Sequence, residues 1–337
     1  MPTPLPEDRP IRWGILGAGG IAEKLGHDIG MTPGNEVVAV AARDADRAAD
    51  FALRHRALRS YGSYEALVND DEVDVVYVST THPYHLAHSL LAIDAGKAVL
   101  VEKPVALNAH DARRLFEAAA DADVFAMEAM WMRINPLVVR ATELIAAGVI
   151  GDVHAVRFEF GLGVPFDPSH RLYDIDNGGG ALLDLGVYPA SFAYHFLGKP
   201  DEVRTSGTLA PNGVDDTVYM EWCYDGIPRA QLWCSVPVIA PNRSAVMGDR
   251  GWLEFEPEAY RPTGLTVHAG DEQYTVADPL AGQGYGYGPE VLEVERCLRA
   301  GLAQSPSLPF ADTIAILEVL DGARASLGVT YPNEARS

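Results

Sequence analysis

The residues with the types and spacing to do chemistry begin at Gly17-Ala18-Gly19-Gly20-Ile21-Ala22. This stretch closes an apolar run, Ile11 to Leu16, and leads into a helix-compatible segment, Ile21 to Ile29. It is a G-x-G-x-x-A turn. Gly17 allows the tight bend, Gly19 lets the backbone approach a pyrophosphate, and Ala22 permits close helix–strand packing. Gly20 and Ile21 open the helix, whose N-terminal N–H groups and partial positive charge suit phosphate. The next apolar run, Glu36 to Ala42, ends before Arg43 and Asp44. An NAD site places a carboxylate at the end of that run to hold the ribose 2′-hydroxyl. Here Ala42 stands at that position and Arg43 follows, with Arg47 four residues on. A small residue and a guanidinium suit a 2′-phosphate, so the reading is NADP rather than NAD. The rival reading has Arg43 solvated and Asp44 on the ribose. Asp44 is also a good N-cap for the helix that follows.

Further along, Thr80, His82 and His85 follow the apolar run Val73 to Val78, and Glu102 and Lys103 end the run that begins at Ala98. In a doubly wound sheet, ligands bind outside the carboxyl ends of the strands, which puts these residues at the cofactor crevice. Pro104 fixes the local chain and is a candidate for a cis bond. His82, His85 and His88 raise the thought of a metal, but no carboxylate accompanies them at ligand spacing, so no metal is expected. Asp184 and Tyr188 are four apart, which on a helix places both on one face. Gly178, Gly179 and Gly180, just before them, would let the chain approach a ligand closely. A phenol, with an ordinary pKa of ~10, is a poor base unless a cation such as the Lys103 ammonium stabilises its anion.

The elements that must position these residues change character along the chain. Up to about residue 133, near-continuous apolar runs alternate with amphipathic helices, the pattern of a parallel sheet covered on both faces. Beyond it, Val153 to Phe160 alternates, and further candidate strands lie between Glu202 and Thr275, broken by Gly, Pro and Asn. That predicts a mostly antiparallel open sheet of five or six strands, closed by helices at Glu290 to Ala300 and Asp312 to Leu327. The fold class is α/β: an N-terminal doubly wound Rossmann sheet plus a C-terminal α+β domain. The predicted organisation is an arm over 1–10, a nucleotide-binding domain over 11–133, and a substrate-binding and oligomerisation domain over 134–337.

The 337 residues fit about two domains, and a 48% apolar, 22% charged composition is that of a soluble globular protein. A formal charge of −21 repels phosphate backbones and anionic membranes and argues against a nucleic-acid partner. No apolar run approaches the ~18 residues of a membrane span, and the N-terminal MPTPLPEDRP has no secretory core. Three scattered cysteines read as reduced core thiols of a cytoplasmic protein.

With Val99-Leu100-Val101-Glu102-Lys103-Pro104 the chain resembles the glucose–fructose oxidoreductase/inositol dehydrogenase superfamily. The resemblance runs through Met127-Glu128-Ala129-Met130-Trp131, Gly179-Gly180-Ala181-Leu182-Leu183-Asp184-Leu185-Gly186-Val187-Tyr188, Gly213-Val214-Asp215-Asp216-Thr217-Val218 and Gly328-Val329-Thr330-Tyr331-Pro332. Much of the superfamily has histidine where Tyr188 stands. Tyrosine there resembles the dimeric dihydrodiol dehydrogenases, some of which are NADP-dependent D-xylose 1-dehydrogenases. The resemblance implies hydride transfer between NADP and a sugar or cyclic diol hydroxyl. Lys103 contacts the reacting hydroxyl, Tyr188 is the base, and Asp184 orients substrate or Lys103. It implies substrate-pocket aromatics at Trp131 and Phe160; Tyr285, in the glycine-rich loop Gly282 to Gly288, is read as closing over the substrate. It also implies a homodimer or higher even oligomer through the second sheet, with Val218, Met220 and Trp222 expected on the joining face. Two other uses of this architecture stay open: a sugar–sugar oxidoreductase that retains its cofactor, and a non-catalytic nucleotide sensor.

Overall fold

The apolar runs of the N-terminal part pair as buried parallel strands in the computed structural model, which describes residues 1–332 and 334. β1 (Ile11–Leu16), α1 (Gly20–Met31), β2 (Asn35–Ala41), α2 (Ala45–His55), β3 (Arg59–Tyr61), α3 (Tyr64–Val68), β4 (Val75–Val78), α4 (His85–Asp94), β5 (Ala98–Glu102), α5 (Ala109–Asp121) and β6 (Ala126–Ala129) follow one another. The strand order is β3-β2-β1-β4-β5-β6, and every pair is parallel. Every residue of β4 and β5 is buried, which explains why neither strand alternates. The order reverses between β1 and β4, so the ligand crevice lies outside the ends of these strands.

Next come α6 (Pro136–Ala146), β7 (Val153–Gly161), α7 (Val187–Leu197), β8 (Glu202–Leu209), β9 (Asp215–Cys223), β10 (Arg229–Ser235), β11 (Ser244–Gly248), β12 (Gly251–Phe255), β13 (Gly264–Ala269) and β14 (Glu272–Ala277). They form one sheet in the order β14-β13-β12-β11-β7-β10-β9-β8, antiparallel except where β10 runs beside β7. This is eight strands, not the five or six expected. The β13–β14 hairpin escapes a pattern search because β14 is mostly exposed and shows no alternation. Its signal is the two-residue Gly270-Asp271 turn, with Gly270 at φ +60°. Phe192 of α7 packs edge-on against Phe158 of β7 and Phe255 of β12, so α7 covers one face of this sheet.

That packing corrects the expected joining face. Val218, Met220 and Trp222 are 0%, 3% and 0% exposed. Met220 lies in register with Leu232, and Leu232 with Phe158, in the row that faces α7. The outer row runs through Tyr219, Trp233 and Glu159, and Tyr219 is 51% exposed. Alternation marks two faces without saying which one the chain itself covers.

The chain divides into two units, and the division is not a single cut. The first comprises Met1–Ala106, His110–Trp131 and Gly282–Thr313; the second Leu107–Ala109, Met132–Ala281 and Ile314–Ser337. Helix α8 (Gly288–Arg299) therefore belongs with the parallel sheet, not with the 134–337 domain expected for it. Its apolar stripe shows that it is buried but not against which core. Asn35 at the start of β2 donates to Glu295 of α8 at 2.8 Å. The first ten residues have no regular structure but are pinned: Leu5 N–H donates to the Leu298 carbonyl at 3.1 Å, and Arg9 pairs with Asp74. α9 (Phe310–Leu327) follows α8. Cys223, Cys234 and Cys297 are buried thiols. Among the described residues, no helix is long and apolar enough to cross a membrane.

Candidate functional site

The glycine turn has the shape a pyrophosphate needs. Gly17 sits at φ +107°, and a Cβ there would lie 3.0 Å from the Ser79 hydroxyl, so only glycine fits. At Gly19 and Gly20 an added Cβ would meet nothing within 4 Å, which leaves open space over the start of α1. No side chain caps that helix start, and its first-turn N–H groups remain for an anion. Ala22 is fully buried, as close helix–strand packing requires. The Ser79 hydroxyl, 3.1 and 3.0 Å from the carbonyls of Leu16 and Gly17, holds the turn from the end of β4. Sequence reasoning missed it, because serine after a strand has no distinctive spacing.

At the end of β2, Asp44 is committed elsewhere. Its Oδ1 accepts the N–H groups of Asp46 and Arg47 at 2.9 and 3.1 Å and caps α2. Arg47 reaches back to donate to the Ala18 carbonyl at 3.0 and 2.6 Å, tying α2 to the glycine turn. Arg43 is exposed, and its charge bears on both Tyr64 and His88. Burial raises the Tyr64 phenol against the pull of Arg43 and Arg47, and burial lowers His88, with Arg43 adding to that.

The histidines after β4 serve different purposes. His85 is fully buried, with Nδ1 2.8 Å from the Pro104 carbonyl and Nε2 2.9 Å from the Thr80 carbonyl. Burial pulls it down to about 4, although both carbonyls oppose that, so near neutral pH it is uncharged and donates to one of them. It latches the bend after β5, where Lys103-Pro104 is cis, to the end of β4. His82 is buried, its ring 5.7 Å from that of His85. The Thr80 hydroxyl lies 3.0 Å from Nδ1 of His88. Among the described residues, no group of His, Cys, Asp and Glu is placed to hold a metal ion.

Acids stand behind Lys103. Glu102 accepts from the Tyr77 hydroxyl and, at 3.2 Å, from the Lys103 N–H. Glu128 accepts from the Val105 N–H at 3.0 Å and the Thr313 hydroxyl at 3.2 Å. Glu290 of α8 is buried, and burial next to Glu102 and Glu128 pushes its carboxyl well above the usual range, so it keeps its proton.

The loop before α8 is clamped. Asp28 of α1 accepts from the N–H of Tyr285 at 2.9 Å and of Tyr287 at 2.8 Å. A Cβ on Gly284, at φ +58°, would strike this carboxylate at 2.2 Å. Tyr285 is 44% exposed and packs edge-on to His27 at 5.2 Å. Tyr287 of the same loop stacks on Trp131 at 4.2 Å.

In the second unit, Asp184 lies in a widened helical turn, Leu182–Gly186, that runs directly into α7 and Tyr188. Asp184 is 2% exposed and pairs with Arg171 at 2.7 Å, a partner thirteen residues upstream that no motif announced. Tyr188 is 7% exposed; its ring meets Phe160 edge-on at 5.7 Å and Tyr260 at 5.8 Å. Phe160 and Tyr260 stack at 4.6 Å. The glycines before Asp184 do not open the chain to a ligand, as expected; they let it pack on itself. A Cβ on Gly179 would meet the Arg171 carbonyl at 2.7 Å, and one on Gly180 would meet Asp215 Oδ1 at 2.4 Å.

The family comparisons agree with this architecture. Residues 11–130 match the oxidoreductase family with an NAD-binding Rossmann fold, and residues 138–254 match the GFO/IDH/MocA C-terminal domain. A mouse trans-1,2-dihydrobenzene-1,2-diol dehydrogenase is 38% identical, over 97% of this chain and 99% of its own; the human enzyme of that name is 36% identical over the same shares. A 3-ketoreductase from Actinomadura kijaniata, solved with NADP and TDP-benzene, superposes with a TM-score of 0.81 at 26% identity, covering 94% of this chain and 98% of that one. An aldose–aldose oxidoreductase from Caulobacter crescentus shares the fold, with a TM-score of 0.85 at 21% identity over 95% and 98%. The chain belongs to the GFO/IDH/MocA oxidoreductases and is a nicotinamide-dependent dehydrogenase acting on hydroxyl groups.

Proposed function

We propose that this protein is an NADP-dependent dehydrogenase of a cyclic diol or sugar hydroxyl, a trans-dihydrodiol first and a D-xylose-like sugar second. The observation that carries the reading is the phenol of Tyr188 set edge-on to Phe160 and tilted against Tyr260, one turn after a buried carboxylate that is paired with Arg171. Aromatic faces suit the C–H surface of a cyclohexadiene diol or a sugar ring. The names of the relatives support the diol, and Arg43, with Asp44 engaged in capping, supports NADP.

The nicotinamide, when bound, supplies the hydride acceptor. Gly17, Gly19, Gly20 and Ile21 would hold the pyrophosphate at the start of α1, and Arg43 the 2′-phosphate. Arg47 reaches the turn itself, and Thr80, His82 and Glu102 would shape the cofactor site around Lys103. His85 acts through the backbone it latches. Tyr188 takes the hydroxyl proton, Lys103 holds the reacting oxygen, and Asp184 orients the substrate. Phe160, Tyr260, Trp131 and Tyr287 are aromatic surfaces for the substrate; Tyr285 serves by anchoring its loop. Self-association through the outer face of the second sheet, at Tyr219 and Trp233, completes the proposal. General-base catalysis is worth ~10²–10⁴-fold, so Tyr188→Phe should lose turnover in that range at unchanged NADP affinity. Unchanged turnover in steady-state assays would remove Tyr188 from the mechanism.

A further inference from the structure

Asp215 is the first residue of β9 and is fully buried against the segment that carries Asp184 and Tyr188. Its Oδ2 accepts the Leu182 N–H at 2.6 Å. Ala181, the residue at that helix start, offers no side-chain cap, so a carboxyl from a distant strand supplies one. Oδ1 has no hydrogen-bond partner among the described residues. Gly180, at φ +139°, is what lets the carboxyl come so close.

We propose that Asp215 is a positioning residue for the hydroxyl oxidation: its buried carboxyl holds the Leu182 N–H and so fixes the turn that presents Asp184 and Tyr188, and losing its proton loosens that turn. This rests on the reading of Tyr188 as the base. The physical reason is that burying a carboxylate with one oxygen unpartnered costs more than the single charge-assisted hydrogen bond to Leu182 returns, so the ionised form favours a turn opened to water. The groups that bear on Asp215 are Asp216 beside it, Arg324 from α9, Cys234 from β10 and Tyr331 from the following segment. Burial raises Asp215 to about 7, against the Leu182 N–H and Arg324, which lower it. Burial also raises the Cys234 thiol and the Tyr331 phenol well above their usual ranges, so both stay neutral, while Arg324, paired with Asp321 and Glu334, stays charged.

The test is amide hydrogen exchange over residues 182–188 across a pH range centred near about 7, with the pH profile of NADP-linked turnover, in wild type and Asp215→Asn. Asparagine keeps an acceptor for Leu182 but cannot ionise. In the wild type, protection relative to intrinsic exchange should fall several-fold as the pH rises through Asp215's titration. It should stay flat in Asp215→Asn, whose kcat profile loses the matching inflection while its KM for NADP stays unchanged. Flat or rising protection in the wild type, or the same fall in the variant, would overturn the proposal. If Asp215→Asn does not fold, the wild-type exchange profile alone decides. Exchange needs no turnover, so a failed assignment of Tyr188 shows in Tyr188→Phe and not here.

Discussion

At the scale of single residues, charge placement does most of the work. Asp44 is the nearest acid after β2, and its Oδ1 caps α2. A 2′-phosphate beside Arg43, as proposed, would meet a guanidinium, with Asp44 Oδ1 engaged by two N–H groups of α2. A hydrogen bond to a charged group is worth about 1.5–3 kcal/mol, so Arg43→Ala should weaken NADPH roughly ten- to hundred-fold and leave NADH nearly unchanged in fluorescence titrations. Asp215 makes a second, thermodynamic prediction. Its native carboxyl is raised from 3.8 to about 7, so the folded chain holds this proton more tightly than the unfolded one. Its stabilising contribution is present below the unfolded value and is lost as the pH rises through about 7. Denaturant unfolding from about pH 5 to 8 should show the wild type losing on the order of 2–3 kcal/mol relative to Asp215→Asn. The glycine turn was legible because local spacing carries its meaning. Arg171, Ser79, Tyr260 and Asp215 were not, because each finds its partner through the fold rather than along the chain.

At the scale of elements, the loop before α8 ties two functions together. Asp28 belongs to the helix whose start is proposed to hold the pyrophosphate, and it holds the backbone of the loop that brings Tyr287 onto Trp131. Sequence reading found the glycines and took the loop for a lid. Gly284 instead makes room for a clamp, and the aromatic that stacks on Trp131 is Tyr287 rather than the more exposed Tyr285. Asp28→Ala leaves two N–H groups unpaired, at about 1–3 kcal/mol for a buried polar group. The expected result is faster amide exchange at Tyr285 and Tyr287 and a higher substrate KM, with a smaller change in kcat. Unaltered exchange would show that the loop holds itself. The same limit explains the second sheet: β7 and β10 alternate, whereas exposed β14 lacks an apolar face to detect.

At the scale of the whole molecule, the order β3-β2-β1-β4-β5-β6 follows from unbroken apolar runs linked by helices, and it was readable. The assignment of α8 to the first unit was not, since amphipathicity reports burial and not the partner. The eight-stranded sheet keeps one face for α7 and turns Tyr219, Trp233 and Trp252 outward; Tyr219 stacks near Trp233 at 5.8 Å, and Trp252 on His268 at 4.1 Å. This outward aromatic row is the surface proposed for self-association. Trp233→Arg should convert a dimer to monomers in sedimentation, and a monomeric wild type would contradict the proposed association. The central claim is the reaction itself. Formation of reduced nicotinamide should be followed with a trans-dihydrodiol, D-xylose and D-glucose, each with NADP and with NAD. The account predicts reduction of NADP by the dihydrodiol, lost in Tyr188→Phe and weak with NAD. Preference for NAD, or no reduction with any of the three, would contradict it.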